Sequence, residues 1–194
     1  FADGLVARAL GVSGELGKQL DSLADMVSFG VVPGTIAYVI LKQAWYGDGV
    51  LMDIPWLAMP GFVFTLFAAY RLGKFNIDTR QSEEFIGLAS PGATMFMYGW
   101  LMVWSTDQFG LAEIAGNPWL AYIIPLVVGI LMVVEIPMFS FKVKNMAWKG
   151  NELRYIFIFA AIGLLIGFTY LGILITIALY VLMSLFSRKE KTIS

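Results

Sequence analysis

The chain of 194 residues contains no cysteine and no histidine. Without cysteine there is no disulfide framework and no thiolate nucleophile. Without histidine there is neither a Ser-His triad nor an imidazole metal ligand. Any acid-base chemistry therefore falls to Asp, Glu, Lys or Tyr. Charge is scarce as well, at 14% of residues, where ordinary soluble domains carry roughly a quarter. The formal net charge of −1 says little about partners, and no nucleic acid is expected among them.

Apolar side chains fill the space that charge leaves. They make up 59% of the chain, and the mean hydropathy is +0.77. Crossing a hydrocarbon core about 30 Å thick takes roughly 20 helical residues, and several apolar runs reach that length. A backbone in lipid must satisfy its own hydrogen bonds, and the alternating polarity of barrel strands is missing. The expected fold class is all-α, a polytopic membrane helical bundle forming a single domain over residues 1–194. It holds about six complete transmembrane helices. Phe1 to Leu10 reads as the end of a further helix whose beginning lies before Phe1.

Taken in order, a first span is expected from Gly17 to Lys42, kinked at Pro33-Gly34. A second runs from Trp56 to Leu72, a third from Pro91 to Ser105, and a fourth from Trp119 to Phe141. The apolar run from Tyr155 to Phe186 would be about 48 Å long as one helix, too much for a single ordinary crossing. Gly163, Gly167 and Gly172 allow a hairpin with its turn near Phe168 to Leu171. That choice places all but Lys42 of the 13 Lys and Arg residues on one side. By the positive-inside rule, that side is cytosolic.

The polar residues concentrate in FADGLVARALGVSGELGKQLDSLAD, Phe1 to Asp25. Asp21 and Asp25 stand four residues apart and share a helix face, with Gly17 one turn above. Like charges so placed repel, and a hard divalent cation held by carboxylate oxygens is the usual remedy. An isolated intramembrane Asp also serves as a helix cap, as a buried partner for Arg8, or in a proton path.

Asp3-Gly4, Ala7-Arg8, Gly17, Asp21 and Asp25 match the pattern D-x2-D-G-x2-A-R-x8-G-x3-D-x3-D at seven fixed positions, and so the sequence resembles the CDP-alcohol phosphotransferase family. The pattern's first aspartate would precede Phe1, so the N-terminal helix and one metal ligand are expected to be missing. The resemblance implies a bimetal site in which Asp3, Asp21 and Asp25 hold two divalent ions, Mg2+ or Mn2+, against a diphosphate. It also makes Asp25 the catalytic base. Gly4, Ala7, Arg8 and Gly17 would bind CDP-diacylglycerol, with Arg8 gripping phosphate and Gly17 keeping the facing helix near.

SLADMVSFGVVPG, YRLGKFN and FIGLASPGA are similar to segments of the serine-accepting branch of this family, from which Gly73, Lys74 and Ala89 depart. The implied reaction moves the phosphatidyl group of CDP-diacylglycerol to L-serine, giving phosphatidylserine and CMP. It would run in a multi-pass protein of a prokaryotic-type cytoplasmic membrane, among membrane lipids, as a homodimer with its site facing the cytosol. Arg71, Asn76 and Lys142 are the candidate acceptor-binding residues; for Arg71 the alternative is a snorkelling interface arginine. Ser90-Pro91 reads as a helix start with Ser as N-cap. Glu135 is expected either to pair with Lys142 or to hold the substrate amine. Rival readings are another acceptor, glycerol 3-phosphate or inositol phosphate, and an ion or proton transporter using the acidic stripe.

Overall fold

The computed structural model describes residues 14–49, 54–77, 86–138 and 151–191. Within them α1 (Glu15–Met26) continues through a π-helical turn, Val27–Val31, into α2 (Val32–Tyr46). A 3-10 turn, Trp56–Phe62, leads into α3 (Val63–Ile77), followed by α4 (Ser90–Ser105), the short α5 (Ala112–Ala115), α6 (Pro118–Val133) and α7 (Glu152–Lys191). Among the described residues there is no strand, only an isolated antiparallel bridge between Ile86 and Pro137.

Local chemistry sets the boundaries. Asn117 Oδ1 accepts from Trp119 N at 2.9 Å and opens α6, with Pro118 in its first turn. Gly47, at φ 64°, closes α2. Pro60 keeps the entry to α3 in the tighter 3-10 form, and α3 then runs on to Ile77, past the expected end at Leu72. α6 stops at Val133, short of the expected Phe141. The preceding segment captures its end: Leu88 N donates to Leu131 O at 2.9 Å and Gly87 N to Ile136 O at 2.8 Å. Gly87 is suited to this docking, with φ at +74° and a would-be Cβ 2.5 Å from Met132 O.

α7 is two arms. Phe157 and Tyr180 have ring centroids 5.9 Å apart, whereas 23 residues of straight helix would separate them by about 35 Å. The chain reverses at Thr169 (φ 43°, ψ −112°), inside the expected turn. Left-handed φ is costly for a β-branched residue, and Gln108 holds it in place. Its Nε2 donates to Phe168 O at 2.7 Å and to Thr169 Oγ1, while its Oε1 accepts from Leu171 N at 3.0 Å. Gly172 lets the arms meet, since a Cβ there would lie 2.2 Å from Leu164 O.

The core is built from α2, α3, α4 and α6 around Ile40, Leu41, Phe64, Met97, Trp100 and Met132. Small residues bring the backbones together: a Cβ on Gly61 would lie 2.5 Å from Tyr38 N, and one on Gly129 2.4 Å from the Phe67 ring. The outer surface is apolar, with Ile166 78%, Leu66 71% and Phe159 66% exposed. Such a surface suits lipid, not water. Gln19–Tyr46 and Glu152–Leu185 have the length and apolarity of membrane spans. The second is folded back, so each arm has roughly 17 residues, about 25 Å.

Candidate active site

One end of the bundle gathers the start of α1, the end of α3, the start of α4 and the end of α6. Among the described side chains of α1 and the π turn that follows it, the half-buried positions from Asp21 on are Ser22, Asp25, Met26 and Phe29, followed by the buried Gly30. This spacing of three and four is the inward face of a helix. Asp25 lies on it, while Asp21 is exposed on its flank. The two acids are neighbours along the helix, separated by a rise of about 6 Å and by about 40° around its axis, and they differ in burial.

The end of α3 meets that inward face. Asn76 Nδ2 donates to Ser22 Oγ at 3.1 Å, across 54 residues of sequence, which brings Asn76 to the turn that carries both acids. Five residues deeper, about 7.5 Å along the axis, Arg71 is 9% exposed. Its Nη1 donates to Ser90 Oγ at 3.3 Å, and its buried Nε has no protein acceptor among the described residues. Arg71 is therefore an interior arginine and does not snorkel.

Ser90 is 2% exposed and makes no cap bond. The helix does start here with Pro91 in its first turn, but the N-cap residue is Ala89, and the Ser90 hydroxyl serves Arg71. The Gly87–Leu88 docking on α6 is what carries Ser90 to that position. Glu135 pairs with Lys74 at 2.6 Å, joining the ends of α6 and α3. The expected partner Lys142 lies outside the described residues.

Of the residues singled out in sequence, the structure brings Asn76 to Ser22, in the helix turn that carries Asp21 and Asp25, and it places Arg71 about one and a half turns earlier on α3, bonded to Ser90. No described atom stands within 4 Å of a Cβ built on Gly17, so a close-packed neighbour for that glycine is not found among the described residues. Asp3, Gly4, Ala7, Arg8 and Lys142 lie outside the described residues. Two partners were missed in the sequence. Ser22 had a signal, its position three residues before Asp25 on the same stripe; Ser90 had only an ambiguous one, because Ser-Pro also starts helices. The donor set of Asp21 and Asp25 is all carboxylate oxygen, which fits Mg2+ or Mn2+ rather than a soft metal.

The family model for CDP-alcohol phosphatidyltransferase matches residues 1–137. The chain is similar to the CDP-diacylglycerol–serine O-phosphatidyltransferase of Helicobacter pylori, with 32% identity over 165 residues, covering 82% of this chain and 63% of that protein. It is similar to the Bacillus subtilis protein of the same name, with 35% identity over 95 residues, 49% of each chain. The Saccharomyces cerevisiae protein of that name is 36% identical over 108 residues, 51% of this chain and 36% of that one. In each case the chain spans less than two thirds of the relative's length.

Proposed function

This chain belongs to the CDP-alcohol phosphatidyltransferase family, and we propose that it transfers the phosphatidyl group of CDP-diacylglycerol to the hydroxyl of L-serine, giving phosphatidylserine and CMP. The observation that carries the reading is the Asn76–Ser22 bond, which ties a candidate acceptor-binding residue to the helix turn bearing Asp21 and Asp25. The relatives' names supply the acceptor. The rival acceptors, glycerol 3-phosphate and inositol phosphate, each bring a phosphate of their own and would call for more basic residues beside the acids.

In this reading the serine hydroxyl oxygen bonds to the lipid-side phosphorus while the bond from that phosphorus to the diphosphate bridging oxygen breaks. CMP departs with that oxygen, and the hydroxyl proton passes to the Asp25 carboxylate. Asp3, Asp21 and Asp25 would hold two divalent ions, Mg2+ or Mn2+, which would supply neutralising charge for the diphosphate and for the departing CMP. Gly4, Ala7, Arg8 and Gly17 form the nucleotide side. Arg71, Asn76 and Lys142 form the acceptor side, and the Nε of the buried Arg71, which has no acceptor among the described residues, suits an anionic group of the acceptor.

The same reading makes residues 1–194 one domain of about six spans. The site faces the cytosol of a prokaryotic-type cytoplasmic membrane, supported by the one-sided distribution of Lys and Arg, and the enzyme works as a homodimer, as the family resemblance implies. The test is Asp25→Asn in the full-length protein. CMP release should fall by about 10²- to 10⁴-fold while CDP-diacylglycerol binding changes little. Turnover at the parent rate would remove Asp25 as the base.

A further inference from the structure

Immediately after Asp25 the helix leaves α geometry. Over Val27–Val31 it makes a π turn, and Val32 N donates to Val27 O, five residues back. One residue added to a helix rotates everything on one side of it by about 100° relative to the other. The direction in which Asp21, Ser22 and Asp25 point, relative to the packed body of α2, therefore depends on that turn being kept.

Two features explain why the turn stays. Pro33 has no N–H to give to Phe29 O four residues earlier, so the ordinary ladder is broken at that carbonyl. From the neighbouring helices, two threonine hydroxyls reach in. Thr65 Oγ1 on α3 donates to Gly30 O at 2.9 Å, and Thr94 Oγ1 on α4 stands 3.5 Å from Phe29 O. The Thr65 bond depends on a close crossing, because a Cβ on Gly34 would lie 2.1 Å from Thr65 Oγ1. Gly30 leaves similar room on the same face, where a Cβ would lie 3.0 Å from the Met26 side chain and 3.3 Å from Ala68 Cβ.

We propose that Thr65 is a positioning residue for the transfer reaction: its hydroxyl on Gly30 O holds the π turn and thereby the rotation of the Asp21–Asp25 segment against Asn76. Thr65 touches no reacting atom in this account and acts through the backbone of the helix that bears the acids. The proposal rests on the reading of that segment as the reaction site.

The test uses the absence of native cysteine. In the full chain, the pair Ser22→Cys and Asn76→Cys replaces a 3.1 Å contact and reports rotation directly through its oxidative crosslinking yield. Adding Thr65→Val, which keeps shape and loses the hydroxyl, should lower that yield at least threefold; Thr65→Ser should restore it. In the cysteine-free chain, Thr65→Val should lower kcat for serine-dependent CMP release at least tenfold, with KM for CDP-diacylglycerol within threefold and a melting temperature near the parent's. Thr65→Ser should recover kcat. Parent-like crosslinking or parent-like kcat in Thr65→Val overturns the proposal, and so does a loss that Thr65→Ser does not recover. A parent chain that crosslinks but releases no CMP counts against the proposed reaction, and the crosslinking arm then decides the rotation by itself.

Discussion

The two ends of the bundle handle polar groups in opposite ways. At the end holding Gln43, Asp107, Gln108 and Asn117, polar side chains close the structure on itself. Gln43 Nε2 donates to Asp48 Oδ1 at 2.9 Å, Asp107 Oδ1 accepts from Ala112 N at 2.9 Å, Asn117 opens α6, and Gln108 holds the α7 reversal. Trp100 Nε1 donates to Ala115 O, and Tyr122 OH to Leu57 O. At the other end, Asp21 is exposed, Asp25 is half-buried on the inward face, and the buried Arg71 keeps one donor without an acceptor among the described residues. The first end commits its polar side chains to contacts within the protein, and the second presents an exposed carboxylate and a buried guanidinium donor that has no acceptor among the described residues. Burying an incompletely satisfied arginine is a cost that a merely structural end would avoid.

Substitutions should separate the ends along that line. The largest effect is expected for Asp21→Asn, which removes a carboxylate from the proposed metal site. Mn2+ affinity and turnover should both drop about 100-fold or more, with folding intact, as read by titration and CMP release. Arg71→Met keeps volume and removes the guanidinium. It should lower kcat/KM for serine about 10- to 100-fold while thermal stability holds or rises, because a buried charge is lost. Gln108→Leu should show the reverse pattern. Stability should fall by about 1–3 kcal/mol in a melting or denaturant series, with kcat within about twofold below the transition. Lys74→Met should do least, because its partner Glu135 is 57% exposed. Less than about 1 kcal/mol of stability and a threefold change in turnover are expected.

The two ends also differed in how far the sequence revealed them. Helices, the α7 hairpin and the acid-bearing turn follow from local patterns: apolar run length, glycine placement and the spacing of Asp21 and Asp25. At the far end Asn117 and Asp107 bond to helix starts two and five residues on, whereas Gln108 reaches Phe168 across 60 residues and Tyr122 reaches Leu57 across 65. The site end rests on distant partners. Asn76 finds Ser22 across 54 residues and Lys74 finds Glu135 across 61. No periodicity encodes such pairs. Ser90 misled because Ser-Pro is a sufficient local reason for a helix start, while its actual partner is Arg71. Pro33-Gly34 signalled a break in the first long helix, but the irregular turn sits earlier, at Val27–Val31, where Thr65 and Thr94 supply hydroxyls from other helices. The early end of α6 has the same origin, in a docked segment remote in sequence.

The central claim is that the polar end performs phosphatidyl transfer to serine. Its most direct measurement is CMP release by the full-length protein in detergent with CDP-diacylglycerol and Mg2+ or Mn2+, across a panel of serine, glycerol 3-phosphate, inositol phosphate and no added alcohol. Release that requires both serine and the divalent ion, with phosphatidylserine formed in equal amount, is the predicted result. Release with another alcohol but not with serine, or no release with any acceptor, would contradict it.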